Sequence, residues 1–293
     1  MKTLRLDDFN PPRTAFEIHS MDWIEQERRE RLDVPHRHDY YVVIWVQAGT
    51  GTHDVDFQRF PLEPGMCWFL SPGQAHLLRT DTPPTGWVLS FDPDFFCVSE
   101  ANGEILVNSG LFHNLLQFRP FRVDAAYEAP LAALVDQLQA EYRGEALLRD
   151  EMLRGLLKLF LIQSTRAFAS QLVGTRESSR TACLVRRFND LVEGRFRDST
   201  RVADYAEWLS VTPTHLNDTV KKVTGQPASD HIKHRVVLEA KRRAFFGDTS
   251  AKEIAYDLGF DDEAHFSRYF KTNTGQTFSE YRRSIQAQYP AHP

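Results

Sequence analysis

Two stretches near the end of the chain, HLNDTVKKVTGQ at residues 215–226 and HFSRYFKTNTGQ at residues 265–276, repeat one pattern. They begin 50 residues apart and share His, Lys, Thr, Gly and Gln at matching positions. A short segment with helical periodicity precedes each copy, VADYAEWLS at 202–210 and AKEIAYDLG at 251–259. The glycine near the end of each copy suits the left-handed C-terminus of a helix. Each unit is therefore predicted to be a helix, a tight turn and a second helix.

Such a unit is the helix-turn-helix with which many proteins enter the major groove of DNA. One copy would be a weak signal, because many helical pairs look alike. Two tandem copies, at about 202–225 and 250–275, are a much stronger one. The alternative for any single polar residue is that it lies on a solvated helix face without a partner.

Outward-facing residues of the two second helices are the predicted DNA contacts. Arg268 can read guanine through two hydrogen bonds, and Asn217 suits adenine. Lys221, Lys222 and Lys271 suit backbone phosphates. Between the units, HIKHRVVLEAKRRAFF at 231–246 has an apolar residue every four positions, which predicts an amphipathic helix of roughly 24 Å. A rigid connector of this kind could hold two recognition helices about one turn of DNA, ~34 Å, apart.

The second unit carries a more specific resemblance. SAKEIAYDLGFDDEAHFSRYFKTNTGQTFSEYR, at 250–282, is close to the C-terminal signature of the AraC/XylS family of bacterial transcription regulators. Residues 184–283 as a whole resemble the DNA-binding domain of that family. The resemblance implies that the outer faces of both recognition helices contact bases. Carried over by position, the implied base readers are Thr214, Asn217, Asp218, Glu263, Ala264, Ser267 and Arg268.

The sequence departs from the family pattern at two positions. Asp218 stands where the family often has a basic or neutral polar residue, and its carboxylate would repel phosphate although it could accept from cytosine. Phe278 stands where the family usually has proline, which the following helix should tolerate.

The first part of the chain has a different pattern. Up to about residue 91, short apolar runs such as YYVVIWVQAG at 40–49 and MCWFL at 66–70 alternate with Gly and Pro, which predicts strands of a sandwich or barrel. His36-x-His38, Gly49 and Pro72-Gly73-x-x-His76 resemble the two motifs of the cupin barrel, a common sensor domain in regulators of this family. From about residue 125 the periodicity is helical.

The predicted architecture is multidomain, α and β: an N-terminal cupin-like β-barrel with appended helices, then a C-terminal all-α domain with tandem helix-turn-helix units. The predicted boundaries are a barrel at 1–124, a helical dimerisation segment at 125–170, a polar linker at 171–183 and the DNA-binding domain at 184–288.

A small-molecule effector is predicted to bind inside the barrel. Strand alternation places His36, His38, Tyr40, Val42 and Ile44 on one face. The same argument groups His53, Val55 and Phe57, and later Trp87, Leu89 and Phe91. The resemblance to an arabinose-binding relative implies contacts from His76 and Trp87. The predicted effector contacts are His36, His38, Tyr40, His53, His76 and Trp87. The alternative is a filled barrel whose histidines are ordinary core or rim residues.

A metal site is not predicted. Metal-binding cupins use two His and one Glu from the first motif and one His from the second, and the Glu position here is Val42. Three imidazoles without the carboxylate could hold Zn²⁺ in principle. We therefore predict no metal, no cofactor and no catalytic residue, with a metal-dependent cupin enzyme fused to a helical domain as the alternative.

The Leu-rich segment from Leu147 to Phe168 predicts a helix with one apolar stripe, formed by Leu153, Leu156, Leu157, Phe160 and Leu161. In the family the corresponding helices pair two subunits, and the alternative is that they pack against the barrel's own outer wall. We predict an activator, and the sequence leaves open the alternative of a repressor whose sensor domain occludes DNA binding. The predicted partners are double-stranded DNA, an effector, a second copy of the chain and RNA polymerase.

Composition fits this interpretation. The chain of 293 residues carries a net charge of −5, but residues 180–293 are net positive and the remainder is net negative. Three scattered cysteines predict free thiols in a reducing compartment. Neither an apolar run of membrane-spanning length nor the apolar core of a signal peptide is present, so we expect a cytoplasmic protein.

Overall fold

The computed structural model describes residues 3–4, 15–32, 34–99, 102–103, 105–106, 109–112, 120–171, 179–246 and 249–288. These residues form two compact domains: a sheet domain that extends to residue 171 and a helical domain that begins at residue 179. None of the described helices combines the length and the apolar character that a membrane crossing requires.

The sheet domain is built on six strands in the order β2-β7-β4-β6-β8, with β5 paired to β4. Two long antiparallel strands, β4 and β7, form its centre. A short parallel pair, β1 with β3, lies apart from this sheet. The strands are β1 Thr3–Leu4, β2 Phe16–Ser20, β3 Arg37–His38, β4 Tyr41–Val55, β5 Gln58–Leu62, β6 Met66–Leu70, β7 His76–Phe91 and β8 Phe121–Arg122. The helices of this domain are α1 Met21–Leu32, α2 Pro93–Phe96, α3 Ala125–Arg143 and α4 Arg149–Gln171.

The two faces of the sheet bury separate cores, because successive side chains of a strand point to opposite sides. Val43 and Trp45 of β4 pack on one side with residues of α3 and α4, and we call this side the helix face. Val42 and Ile44 lie on the other side in a core that includes Trp68. We call that side the inner face.

The alternation of β4 changes along its length. Val46 and Val55 both belong to the inner face although one number is even and the other odd. Register shifts between Val46 and Gly51 account for this, since an extra residue in one strand exchanges its two faces. Gly49 lies in this irregular segment with φ +101°, a conformation that L side chains rarely adopt.

Helices alone make up the described part of the helical domain. They are α5 Ser179–Arg195, α6 Val202–Trp208, α7 Pro213–Thr224, α8 Ala228–Phe246, α9 Ala251–Asp257, α10 Glu263–Thr274 and α11 Phe278–Gln288. In the first unit, Leu216 and Val220 of α7 pack with Tyr205 and Ala206 of α6. In the second, Phe266 and Phe270 of α10 are fully buried, and Phe278 fills the space beside them with ring centroids 5.2 and 5.3 Å away.

Matching capping residues define the ends of α7 and α10. Thr212 and Asp262 cap the two N-termini by accepting from the backbone N–H three residues later. At the other end, Gly225 and Gly275 adopt left-handed conformations with φ 79° and 81°. The Thr before each glycine donates to the carbonyl four residues earlier at 2.8 Å in both copies. The shared Thr and Gly therefore maintain the scaffold.

The structure confirms a sheet-rich first domain and an all-helical second one. Residues 172–178 of the predicted linker lie outside the described residues, and α5 begins at Ser179, within the range predicted as linker. The helices predicted as a separate dimerisation segment, α3 and α4, share the core of the sheet domain.

Candidate functional site

The outer surface of α7 presents four of the five DNA contacts predicted for the first unit. Thr214, Asp218, Lys221 and Lys222 are exposed. This helix begins at Pro213, so Thr214 lies in its first turn and the two lysines lie in its last turn. A helix with this distribution can place polar side chains in a groove and cations near phosphates.

The outer surface of α10 is similar in plan but different in chemistry. Glu263, Ala264, Arg268 and Lys271 are exposed, and Ser267 is half-buried. Arg268 occupies the middle of the helix, where a guanidinium can reach a base edge. Lys271 matches Lys221 of the first copy, but the other outer residues differ between the two helices, so the helices cannot present identical hydrogen-bonding patterns.

Asn217 has a contact that the sequence did not predict. Its side chain is half-buried, and Oδ1 accepts from the backbone N–H of Ala228 at 3.1 Å. Ala228 is the first residue of α8, so the amide satisfies one of the N–H groups that a helix N-terminus leaves unpaired. Reading adenine requires both the oxygen and the nitrogen of an amide, and this oxygen is already engaged. The structure therefore makes Asn217 a link between α7 and α8, a role that competes with the predicted adenine contact.

Ion pairs connect α8 to α5, which packs against the first helix-turn-helix unit, and to α9 of the second unit. The Glu239 carboxylate lies 3.1 Å from Nη1 of Arg235 and 3.3 Å from Nε of Arg243. Arg235 also binds Glu193 of α5 at 2.7 Å, and Arg243 binds Asp257 of α9 at 2.6 Å. Burial alone would raise the pKa of Glu239, but the surrounding arginines outweigh it and hold the pKa below its usual 4.5. Glu239 is thus an ionised centre of the contacts that α8 makes with α5 and α9.

The backbone of the second helix-turn-helix unit closely approaches the segment between α5 and α6 at Gly259. A Cβ placed on Gly259 would overlap the carbonyl oxygen of Arg197 and lie 3.2 Å from its carbonyl carbon. Gly259 follows α9 with φ 81°, and Arg197 follows α5. Close packing of two backbones leaves room for no side chain, so glycine is required here for both space and conformation.

Four histidines gather at the inner face of the sheet domain. Nε2 of His38 lies 2.8 Å from Nε2 of His76, and Nε2 of His53 lies 3.0 Å from Nδ1 of His76. The ring of His36 lies 4.4 Å from that of His76. All four side chains are buried. The structure thus brings together four of the six predicted effector contacts, and Tyr40 joins them with its ring 4.5 Å from that of His38.

The imidazoles of His36, His53 and His76 are neutral at ordinary pH. Burial lowers the pKa of His36 to about 4, and burial together with the neighbouring His36 lowers the pKa of His53 to about 3. Burial also holds the pKa of His76 well below its usual range. Each neutral ring has one N–H donor and one lone pair, so the group can both donate and accept hydrogen bonds.

Buried polar atoms without hydrogen-bond partners among the described residues lie in this group and beside it. They include Nε2 of His36, Nδ1 of His53 and Nε1 of Trp68. The ring of Trp68 lies 5.3 Å from that of His53. Unpaired buried polar groups are uncommon in proteins and are costly, so they mark a place where a ligand or water can bind.

Trp87 does not belong to this group. It packs against the core of the helix face, on the side of the sheet that carries Leu89 and Phe91. The predicted common face of these three residues is correct, but it is the face covered by α3 and α4. Phe57 was also misplaced, because Asp56 and Phe57, with φ 47° and 71°, form the two-residue turn between β4 and β5.

Only one group of three or more potential metal ligands occurs among the described residues. His36, His38 and His76 offer atoms that all lie within 4.8 Å of one another. The carboxylate of Asp54, the acidic neighbour of His53, instead binds Arg59 and Arg79, both at 2.7 Å. The nitrogen ligands of a metal site are therefore present, and no carboxylate of the described residues joins them.

The apolar stripe of α4 lies inside the sheet domain. Leu153, Leu156, Leu157, Phe160 and Leu161 are all buried in the core of the helix face. This outcome agrees with the alternative of packing against the domain's own wall and corrects their predicted role in pairing two subunits. The large apolar side chains that α4 exposes are Met152 and Leu159.

Comparison with known proteins gives two family matches. A model described as "AraC-like ligand binding domain" matches residues 21–157, and one described as "Helix-turn-helix domain" matches residues 205–284. The chain is 25% identical over 266 residues to the HTH-type transcriptional activator RhaS of Escherichia coli O81, covering 87% of this chain and 92% of that protein. It is 22% identical over 283 residues to RhaS of Yersinia pestis bv. Antiqua, covering 92% and 98%.

Proposed function

Because the chain belongs to the AraC/XylS family of bacterial transcription regulators, we propose that α7 and α10 bind two successive segments of major groove at its DNA site. A small molecule bound at the inner face of the sheet domain controls this binding. The main support for the proposal is that two exposed recognition helices occur in tandem, joined by a helix that ion pairs hold in place.

The proposed division of labour follows the chemistry of each outer side chain. Arg268 reads guanine, since its guanidinium matches the two acceptors of that base. Lys221, Lys222 and Lys271 bind phosphates and fix the register. Thr214, Asp218, Glu263, Ala264 and Ser267 complete the predicted base contacts. Among these, Asp218 suits only a donor such as the cytosine amino group, because its charge repels phosphate.

Close contacts within the helical domain support simultaneous binding of both recognition helices, α7 and α10. Glu239 and its arginines connect α8 to α5 and α9, and Gly259 packs on Arg197. A pair of recognition helices with one fixed relation selects DNA whose two half-sites have the matching spacing. Such rigidity reduces the entropy lost when the second helix binds.

The effector that we propose is a small polar molecule. His36, His53 and Trp68 offer buried atoms that have no hydrogen-bond partner among the described residues. Val42, Ile44 and Trp68 supply apolar surface beside them. A few converging polar groups on an apolar wall are typical of small-molecule sites. Effector binding would favour the conformation or dimer geometry that fits the DNA, as a shift between populations.

A homodimer is part of the proposal, with a different surface from the one predicted. Met152 and Leu159 lie seven residues apart on α4, and their side chains are 53% and 51% exposed. This spacing puts them on one side of the helix. A second copy would cover this stripe and bring a second pair of recognition helices to a repeated DNA site.

We further propose that the regulator activates transcription in the cytoplasm through contact with RNA polymerase, as the names of its relatives indicate for activation. The alternative of a metal-dependent enzyme is not favoured, because a helix-turn-helix match accompanies the ligand-binding match.

Binding of the purified chain to genomic fragments, followed by sequencing of the bound DNA, tests the function directly. We expect enrichment of a motif with two half-sites about 10 base pairs apart. Binding should weaken steeply with salt, as counterion release requires. Absence of any enriched motif at low salt, with and without a cell extract supplying metabolites, would contradict the proposal.

A further inference from the structure

Two matching histidines begin the repeated stretches of the recognition helices and are exposed in both copies. His215 lies in the first turn of α7, and His265 lies at the same place in α10. Among the residues that the two stretches share, Thr and Gly close the helix ends. The shared Gln226 and Gln276 bond to that Thr through their backbones. The shared Lys and His are exposed, and the scaffold does not account for them.

The side chains of these two histidines have no polar partner among the described residues. The backbone N–H of each donates to its helix cap, at 3.2 Å to Thr212 and at 2.6 Å to Asp262. The imidazole of His215 makes no hydrogen bond or ion pair within the part of the chain that the structure describes. That of His265 packs edge-on against Phe260, with ring centroids 5.3 Å apart. The polar atoms of both imidazoles are therefore available to a ligand.

Both histidines lie at the flank of their helix. Leu216 and Phe266, the next residues in the chain, are fully buried, and adjacent residues of an α-helix point about 100° apart. Lys222, seven residues after His215, lies on the same side of α7. One flank of α7 therefore carries an imidazole in the first turn and an ammonium in the last turn.

The width of the major groove determines what a flank contacts. An α-helix with its side chains is about 10–12 Å across, and the groove is about 12 Å wide. A helix that fills the groove directs its outermost side chains to the bases and those of its flanks to the sugar–phosphate walls. Phosphates are the same at every base pair, whereas base edges differ. Exposed residues that both helices share thus suit phosphates, and exposed residues that differ suit bases.

An imidazole is well suited to bind phosphate in the first turn of a helix. The N-terminus of a helix carries a partial positive charge, which attracts an anion and opposes a further cation. A neutral imidazole has one N–H donor and therefore adds a hydrogen bond without that opposition. The backbone N–H of each histidine cannot make this contact, because the cap already accepts from it.

We propose that His215 and His265 each donate a hydrogen bond to a backbone phosphate, one in each half-site of the DNA. These contacts position the two recognition helices in their grooves and do not read the sequence. The inference rests on the proposed DNA binding of α7 and α10, and it adds one residue of each helix to the contacts assigned above.

The affinity of the full chain for a synthetic duplex that carries the motif enriched by the native protein tests these contacts. We expect His215→Ala and His265→Ala each to weaken binding about 10-fold or more, the effect of losing a hydrogen bond to a charged group. His215→Gln and His265→Gln retain a donor and should recover part of the loss. Single-base variants of the site should show the same loss. Gln226→Ala, which removes a shared and exposed side chain whose backbone makes the contacts, should leave the affinity unchanged.

Duplexes in which one phosphate at a time is replaced by an uncharged methylphosphonate identify the phosphate that each imidazole contacts. One replacement in the first half-site should weaken binding of the native chain and cause no further loss in His215→Ala. One replacement in the second half-site should behave in the same way with His265→Ala. A histidine with a merely structural role would give additive losses at every phosphate. Circular dichroism confirms that each variant folds.

Three results would overturn the inference. They are unchanged affinity of both alanine variants, losses that are additive with every phosphate replacement, and a loss confined to one base pair of the site. If the native chain binds DNA and any of these results is obtained, the inference fails while the proposed function stands. If the native chain binds no DNA, the proposed function fails and the inference fails with it.

Discussion

Gly259 and Arg197 are in direct backbone contact, and this contact joins the second helix-turn-helix unit to the segment between α5 and α6, just before the first unit. The position has no room for a Cβ, because one would overlap the Arg197 carbonyl. Arg197 also reaches Glu239 through Nη2 at 3.7 Å, so the backbone contact and the charged centre of α8 share a residue. Because α5 packs with α6 and α7, this contact fixes the relation between the two helix-turn-helix units together with the connecting helix α8.

The Gly259→Ala substitution should show how much this contact contributes to stability beyond the cost of backbone strain alone. A left-handed non-glycine residue costs about 1–2 kcal/mol, and the overlap with Arg197 adds to that cost. Gly275→Ala is the matched control, because Gly275 has the same φ of 81° and open space around its Cβ position. Chemical unfolding with hydrogen exchange of helical-domain peptides should show a larger loss for Gly259→Ala. Equal losses would mean that the close contact contributes nothing.

Glu239→Gln should weaken the helical domain in a pH-dependent way. Hydrogen bonds to a charged group contribute roughly 1.5–3 kcal/mol, and a neutral amide loses part of this. Arg197, Arg235, Arg242 and Arg243 face the carboxylate, and its pKa is below 4.5 in the folded state. Because the unfolded chain binds the proton more readily, the stabilisation is complete above pH 4.5 and is lost as the pH falls through the folded pKa.

The measurement is the difference in unfolding free energy between the native chain and Glu239→Gln across pH 3–7, followed on peptides of α8. We expect the largest difference near neutrality and a smaller one below pH 4.5. A difference that is constant with pH would contradict the charged role of Glu239.

Asn217→Ala should reduce stability, although Asn217 was predicted from sequence as a base reader. Loss of its hydrogen bond to Ala228 leaves the first N–H of α8 unpaired, and loss of a cap typically costs about 0.5–2 kcal/mol. Asp218→Ala is the neighbouring control, since an exposed substitution usually changes stability by less than about 0.5 kcal/mol. If Asn217→Ala retains full stability but changes base preference, the original prediction is restored.

Some of these features follow from the sequence and others do not, for physical reasons. The ends of α7 and α10 depend on neighbouring residues such as Thr224 and Gly225, so local pattern predicted them. The role of Asn217 depends on where α8 begins, which is a tertiary contact. Strand alternation correctly placed Trp87 with Leu89 and Phe91, but only the packing of α3 and α4 determines which face they occupy.

The histidine group contains both features that follow from the sequence and features that depend on the tertiary structure. His36, His38 and His76 stand in recognisable motifs, yet His53 reaches the same site only because the register shifts of β4 put it there. The absence of a carboxylate at Val42 argued against a metal. The tautomer of His36, which depends on the Val34 carbonyl, could be read only from the structure.

Dimerisation should depend on the exposed stripe of α4. Met152→Lys and Leu159→Lys each place a charge on that surface, so we expect a monomer in sedimentation equilibrium at concentrations where the native chain is a dimer. Val98→Lys is the control, because Val98 is 59% exposed in the same domain but outside α4. A dimer that persists in both α4 variants would place the interface elsewhere.

Arg268→Ala and Lys271→Ala, two substitutions on α10, should have different effects on DNA binding. Removing the guanidinium should cost about 1–3 kcal/mol on the preferred site and relax the preference at one base pair, because it removes a direct base contact. Removing the ammonium should weaken binding about equally on all sequences and lower the slope of log K against log salt by about 1.

Arg143→Ala removes a like charge from the sheet domain and should change neither quantity. Titrations by fluorescence anisotropy at several salt concentrations, on the preferred site and on single-base variants, measure both signatures. If Arg268→Ala weakens all sequences equally, Arg268 is a phosphate contact and the second unit reads bases through other side chains.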